Sequence, residues 1–117
     1  MKNIKQAVVF LLLILPTFLF AQESKPKNEV IYIQTSAVCD ECKERIESSV
    51  KAVKGVKEAT LELKDKKIKV VYSPAKTSAA DIKNAIAAAG YDANDVQALP
   101  AAYGSLPMCC KKEGDGH

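Results

Sequence analysis

The hydrophobic period of this chain changes at Cys39-x-x-Cys42, and no other feature limits its folding choices more. Before that point Glu29 to Thr35 alternates, with Ile31 and Ile33 on one face and Val30 and Tyr32 on the other, which is the period-two pattern of a strand. After it Cys42, Ile46, Val50 and Val53 recur at spacings of four, four and three, a single apolar stripe of a helix that Gly55 ends. The first cysteine therefore lies in a strand-to-helix loop and the second in the first turn of the helix.

Alternation returns from Val56 to Lys64, with Ala59, Leu61 and Leu63 inward. After Asp65-Lys66 a partner run places Ile68, Val70 and Tyr72 inward, so the two runs read as a hairpin. Ser78, with Asp81 three residues on, caps a second helix whose buried stripe is Ile82, Ala85, Ile86 and Ala89 and which Gly90 terminates. A short strand around Asp95 to Leu99 is expected to complete the domain. This succession predicts an α+β, ferredoxin-like βαββαβ sandwich over residues 29–99, a four-stranded antiparallel sheet with two helices on one face.

The two ends of the chain differ from this middle. Ala7 to Leu15 is an unbroken apolar run that follows Lys2 and Lys5 and gives way to Pro16 and then Ala21. It is shorter than the roughly 18 apolar residues of a spanning helix. Residues 1–21 read as a secretory signal peptide cleaved near Ala21, and 22–28 as a polar lead-in. The expectation is a periplasmic or secreted protein with no stable membrane insertion once the leader is removed.

Without Lys2 and Lys5 the basic residues fall from 17 to 15 against 14 acidic ones. There is no Trp, and the lysines are scattered. Such a balance argues against nucleic acid as a partner. The lysines at 43, 51, 54 and 57 read as a solvated face, with docking to an acidic partner as the lesser reading. Residues 100–117 read as a cysteine-containing flexible tail that tethers Met108-Cys109-Cys110 to the domain.

The four cysteines are Cys39, Cys42, Cys109 and Cys110. Each pair is local and closes almost no loop, the arrangement in which a disulfide stabilises least. A thiolate at a helix N-terminus is favoured by unpaired N–H groups and by the helix dipole, so Cys39 and Cys42 are expected to ionise readily. Two converging soft sulfurs suit Cu(I), Hg(II) or, with further ligands, Zn(II) or Cd(II). Thiol-disulfide exchange is the alternative use of the same pair. The single histidine, His117, has no paired base or nucleophile, and no catalytic constellation competes, so the chain reads as a binding protein rather than an enzyme.

From about Glu29 to Leu99 the chain resembles the heavy-metal-associated domain family, which includes copper chaperones, soluble domains of metal-pumping ATPases and periplasmic mercury-binding proteins. The resemblance rests on Cys39-x-x-Cys42 after the first strand, Val53-Lys54-Gly55-Val56 leading into the second, and Ala89-Gly90-Tyr91 closing the second helix. It implies that Cys39 and Cys42 are the metal ligands and that the cargo is a soft ion, Cu(I) first. It also implies exchange with a metal-transporting ATPase, membrane transporter or other metal-binding protein, by a monomer or a metal-bridged dimer. The family usually has Gly-Met-Thr before the first cysteine, where this chain has Ser36-Ala37-Val38.

Tyr91 falls where the family places an aromatic or Lys facing the metal, and Asp40 lies between the two ligands; both are candidates for contact with the ligands rather than the ion, and Tyr91 reads equally as a core aromatic at a helix end. Asp40 and Glu41 also read as first-turn carboxylates that complement the helix dipole. Cys109 and Cys110 cannot easily bond to each other, because adjacent Cα atoms lie about 3.8 Å apart and disulfides want about 4.4 to 6.8 Å. Both are expected to face outward as auxiliary soft ligands, on a tail long enough to fold back and supply a third thiolate.

Overall fold

The computed structural model describes residues 27–112; the leader, all but the end of the lead-in, and residues 113–117 with His117 lie outside the described residues. Strand β1 (Glu29–Gln34) leads to helix α1 (Asp40–Lys51), strands β2 (Val56–Glu62) and β3 (Lys67–Tyr72), helix α2 (Ala79–Ala88), a short helix α3 (Pro100–Gly104) and a 3-10 turn at Met108–Cys110. No helix among the described residues is long and apolar enough to cross a membrane.

The sheet is antiparallel, in the order β1-β3-β2. Its register puts Ile33, Ile68 and Leu61 in one row and Ile31, Val70 and Ala59 in the next. All of these except the half-buried Ile31 are essentially solvent-free. Against them pack Cys42, Ile46 and Val50 of α1 and Ile82 and Ile86 of α2 in one continuous core. Each such aliphatic side chain contributes about 1.5 to 3 kcal/mol relative to exposure. On the other face Val30 and Tyr32 are exposed, as period-two alternation requires.

Polar ties fix α1 on this sheet. Lys43 Nζ donates to Glu47 Oε2 and to the Leu61 carbonyl, each at 2.8 Å, and the Leu61 N–H donates to the same Glu47 oxygen at 2.7 Å. Helix α2 starts as expected, with Ser78 Oγ accepting from the Asp81 N–H at 3.1 Å. It ends at Gly90, whose φ of 105° is a left-handed conformation, while the Tyr91 N–H returns to the Ile86 carbonyl.

The four-stranded expectation fails at its last member: the described residues form three strands, and 95–99 is not one of them. Ala93 makes isolated bridges to Thr35 and Val96, and Asn94 turns the chain at a φ of 54°. The Asn94 N–H and side-chain oxygen satisfy Gln34 of β1, and Asp92 Oδ1 accepts from the Ala98 N–H at 2.9 Å. With its backbone groups occupied locally the segment closes on itself instead of running along β1. The Leu99 N–H reaches the Ala87 carbonyl, and Pro100 opens α3 at its first turn, where a missing N–H costs nothing.

What the sequence presents as a tether therefore carries a helix packed on the domain. A Cβ on Gly90 would meet the Ala102 carbonyl at 3.0 to 3.1 Å and Leu106 Cδ2 at 3.1 Å, so this glycine serves both the helix end and the close approach of α3. Leu106 is buried, and Lys112 Nζ pairs with Asp92 Oδ2 at 2.9 Å. The Lys112 N–H donates to the Tyr103 hydroxyl at 2.8 Å.

Candidate metal centre

The loop from Thr35 to Cys39 is fixed before it presents any sulfur. The Thr35 N–H and hydroxyl both donate to the Lys66 carbonyl at 2.8 Å, and the same hydroxyl accepts from the Ala37 N–H at 3.2 Å. Ser36 Oγ accepts from the Asp92 N–H at 2.9 Å, joining this loop to the one that carries Tyr91. Ala37 is wholly buried. Neither hydroxyl stood out in the sequence, although a Thr that closes an apolar strand and ends up buried must find local partners.

Cys39 is the N-cap residue of α1, in extended conformation, and Cys42 sits in the first turn with no solvent exposure. Their sulfurs are 3.2 Å apart. Partial burial pushes the Cys39 thiol up, but the Cys42 backbone N–H, followed by the thiols of Cys42, Cys110 and Cys109, outweighs it and holds its pKa below the ordinary value. Asp40 is exposed at the same helix start, in a place to complement the dipole.

The vicinal pair does not face outward as a unit. Adjacent side chains on a 3-10 turn diverge, so Cys110 points into the core at 1% exposure while Cys109 stays on the surface. Cys110 Sγ lies 3.7 Å from Cys39 Sγ, and the sulfurs of Cys39, Cys42 and Cys110 all lie within 4.8 Å of one another. Three thiolates bonded at about 2.3 Å to one ion sit roughly 3.8 to 4.0 Å apart, so small side-chain adjustments bring these three into range. Cys109 Sγ donates instead to Glu41 Oε1 at 3.5 Å, and Glu41 Oε2 holds Arg45 at 3.2 Å.

Tyr91 is 1% exposed, and its hydroxyl has no hydrogen-bond partner of ordinary geometry. Its polar neighbours are the thiols of Cys110 and Cys42; burial first, and then these thiols, push its ionisation far above the usual phenol range. Burial likewise pushes the Cys110 thiol up, Cys42 adds to the rise, and Tyr91 opposes it. The 390 Å³ surface depression lined by Glu44, Arg45, Ser48, Ser49 and Ala89 contains no sulfur and belongs to a different face of α1.

Residues 36–92 match the family model described as the heavy-metal-associated domain. Among solved structures, the chain is similar to a CopZ metallochaperone at 27% identity, covering 56% of this chain and 98% of that one with a TM-score of 0.54. It is also similar to the copper form of a single-residue variant of CopA from Bacillus subtilis at 32% identity, covering 57% of this chain and 90% of that one with a TM-score of 0.51. Oxidized MerP from Ralstonia metallidurans shares the fold at 22% identity, covering 57% of this chain and 94% of that one with a TM-score of 0.56. No curated protein sequence matches the chain.

Proposed function

This chain belongs to the heavy-metal-associated domain family, and from that premise we propose that it captures a soft heavy-metal ion through Cys39 and Cys42 and passes it on by thiolate exchange. The observation that carries the reading is the pair of sulfurs 3.2 Å apart at the start of α1. The helix N-terminus offsets the negative charge of two thiolates on one ion, and the half-buried Cys39 leaves a side from which a partner's thiolate can attack. Cu(I) is the first ion proposed, because two soft sulfurs satisfy its low coordination number; the CopZ and CopA neighbours are, by name, a metallochaperone and a copper protein. Hg(II) is the second.

The proposed partner is a metal-transporting ATPase or another metal-binding protein that presents its own thiolates. The site of action is outside the cytoplasm, on the strength of the signal-like run ending near Ala21. The role is binding and transfer rather than catalysis.

The double substitution Cys39→Ser with Cys42→Ala, the alanine chosen because Cys42 is fully buried, tests this reading. Cu(I) affinity, measured by competition with a chelator on reduced protein, is expected to fall on the order of 10³-fold or more while the circular dichroism spectrum stays unchanged, because Ile46 and Val50 bury themselves without a metal. Unaltered affinity would move the site elsewhere. The close sulfurs and the lowered Cys39 pKa also suit thiol-disulfide exchange. Rapid reduction of insulin by the dithiol form, with weak Cu(I) binding, would favour that alternative.

A further inference from the structure

The geometry points to Cys110 as a conditional third ligand: with Cys39 and Cys42 it forms a three-thiolate site for a divalent soft ion, closed by the C-terminal segment 100–112, whereas Cu(I) keeps only the two loop thiolates. The inference rests on the metal-binding reading of Cys39 and Cys42 and assigns the ion class that closes the segment over them.

Three observations converge. The first is placement: the Cys110 sulfur lies 3.7 Å from Cys39 and within 4.8 Å of Cys42, although 71 residues separate the first pair in sequence. The second is that the segment is built to put it there. Leu106 is buried, α3 approaches Gly90 so closely that a Cβ there would meet the Ala102 carbonyl at 3.0 to 3.1 Å, and Lys112 is held by Asp92 and by the Tyr103 hydroxyl.

The third is the Tyr91 hydroxyl, buried and without an ordinary partner beside the Cys42 and Cys110 sulfurs. A neutral thiol is a weak acceptor, so with thiols the buried O–H stays unsatisfied. A metal-bound thiolate is a charged acceptor and satisfies it, with a gain larger than that of a neutral bond. The polar group left over in the metal-free protein is thus the one that an ion-bound Cys110 or Cys42 uses.

Charge selects the ion. Binding one M(II) to three thiols releases three protons and leaves a complex of net charge −1, the same charge that Cu(I) reaches with two thiols and the release of two protons. Adding Cys110 to Cu(I) would make the complex −2, with two of its three sulfurs, those of Cys42 and Cys110, buried from solvent and with the carboxylates of Asp40 and Glu41 on the adjoining surface.

The test uses reduced chain loaded with one equivalent of Hg(II) or of Cu(I), with native mass spectrometry to show one chain per ion and X-ray absorption to count sulfur neighbours. Three sulfurs on Hg(II) and two on Cu(I) are expected. Cys110→Ala, which removes the sulfur without burying an unpaired hydroxyl, should give two sulfurs on Hg(II) and weaken its binding roughly 10- to 100-fold, with Cu(I) affinity changed by less than about threefold. Cys109→Ala should leave three. Two sulfurs on Hg(II) in the unaltered chain, or three persisting in Cys110→Ala, would overturn the third-ligand assignment; three on Cu(I) would overturn the charge selection. Either result leaves the two-cysteine reading standing, because that reading is decided by the Cys39/Cys42 double substitution and the insulin assay, neither of which depends on Cys110.

Discussion

Cys39 and Cys42 stand on a loop and helix backed by the whole sheet, with Ile46 and Val50 beneath and Glu47 tied to β2, whereas Cys110 rides on a three-residue 3-10 turn anchored by one buried leucine, one ion pair and one close glycine contact. Both arrangements deliver a sulfur to the same place. The cost of removing the sulfur differs: displacing the first pair means disturbing a helix backed by the whole sheet, while displacing Cys110 means lifting a short segment, a strap that closes one edge of the same core. Ligands on low-stability segments are the ones that can come and go without unfolding the domain, which is what transfer to a partner asks of a third ligand.

The largest expected contrast comes from the packing under each ligand set. Ile46→Ala, at a fully buried site in α1, should lower global stability by about 2 to 5 kcal/mol in denaturant unfolding. Leu106→Ala removes a side chain of similar size, yet its effect should appear as faster amide exchange confined to residues 100–112, with the midpoint of global unfolding nearly unchanged. If Leu106→Ala shifts the global midpoint as far as Ile46→Ala does, the strap and the rest of the core unfold as one and the contrast is broken.

This same division marks what could be read from sequence. The stripe Cys42, Ile46, Val50, the hairpin rows of Leu61 and Ile68, and the Ser78 cap are local periodicities with one physical meaning each, and they occur as read. The segment after Gly90 has no such period. Asp92, Asn94 and Asp95 favour local turns, and a strand was expected where only isolated bridges form. Residues 100–107 read as a tether, and nothing local reveals that α3 docks on Gly90, because that contact depends on space left by a glycine outside the segment. Which of two adjacent cysteines turns inward depends on that docking, so the inward Cys110 was not legible either.

A smaller effect sharpens the comparison at the residue where the two regions meet. Tyr91→Phe removes the hydroxyl and keeps the ring. Since that hydroxyl is buried and unpaired, the metal-free protein should be no less stable, and up to about 1 kcal/mol more stable, in thermal or denaturant unfolding. The Hg(II) complex should weaken several-fold with its sulfur count unchanged. A metal-free protein destabilised by more than about 1 kcal/mol would mean the hydroxyl was already satisfied.

The smallest effect concerns the ion pair that holds the end of the strap. Burial raises the Asp92 carboxyl, but the Ala98 N–H and then Lys112 outweigh it and hold its pKa below the ordinary carboxylate value. A group with a depressed folded pKa stabilises fully above its unfolded value and loses that contribution as pH falls through the folded one. Closure of the strap should therefore be constant near neutrality and weaken in acid, below the normal aspartate range. Lys112 is half exposed, so the pair's share is at most about 1 kcal/mol and shrinks with salt. Asp92→Asn keeps an acceptor for the Ala98 N–H and discards only the charge, so the Asn variant should remove this part of the acid dependence. The measurement is amide-exchange protection of residues 100–112 against pH in both proteins, normalised to the protection of α1. Parallel acid profiles in the two would show that the strap is held by Leu106 and Gly90 packing alone, and would transfer the control of Cys110 from charge to shape.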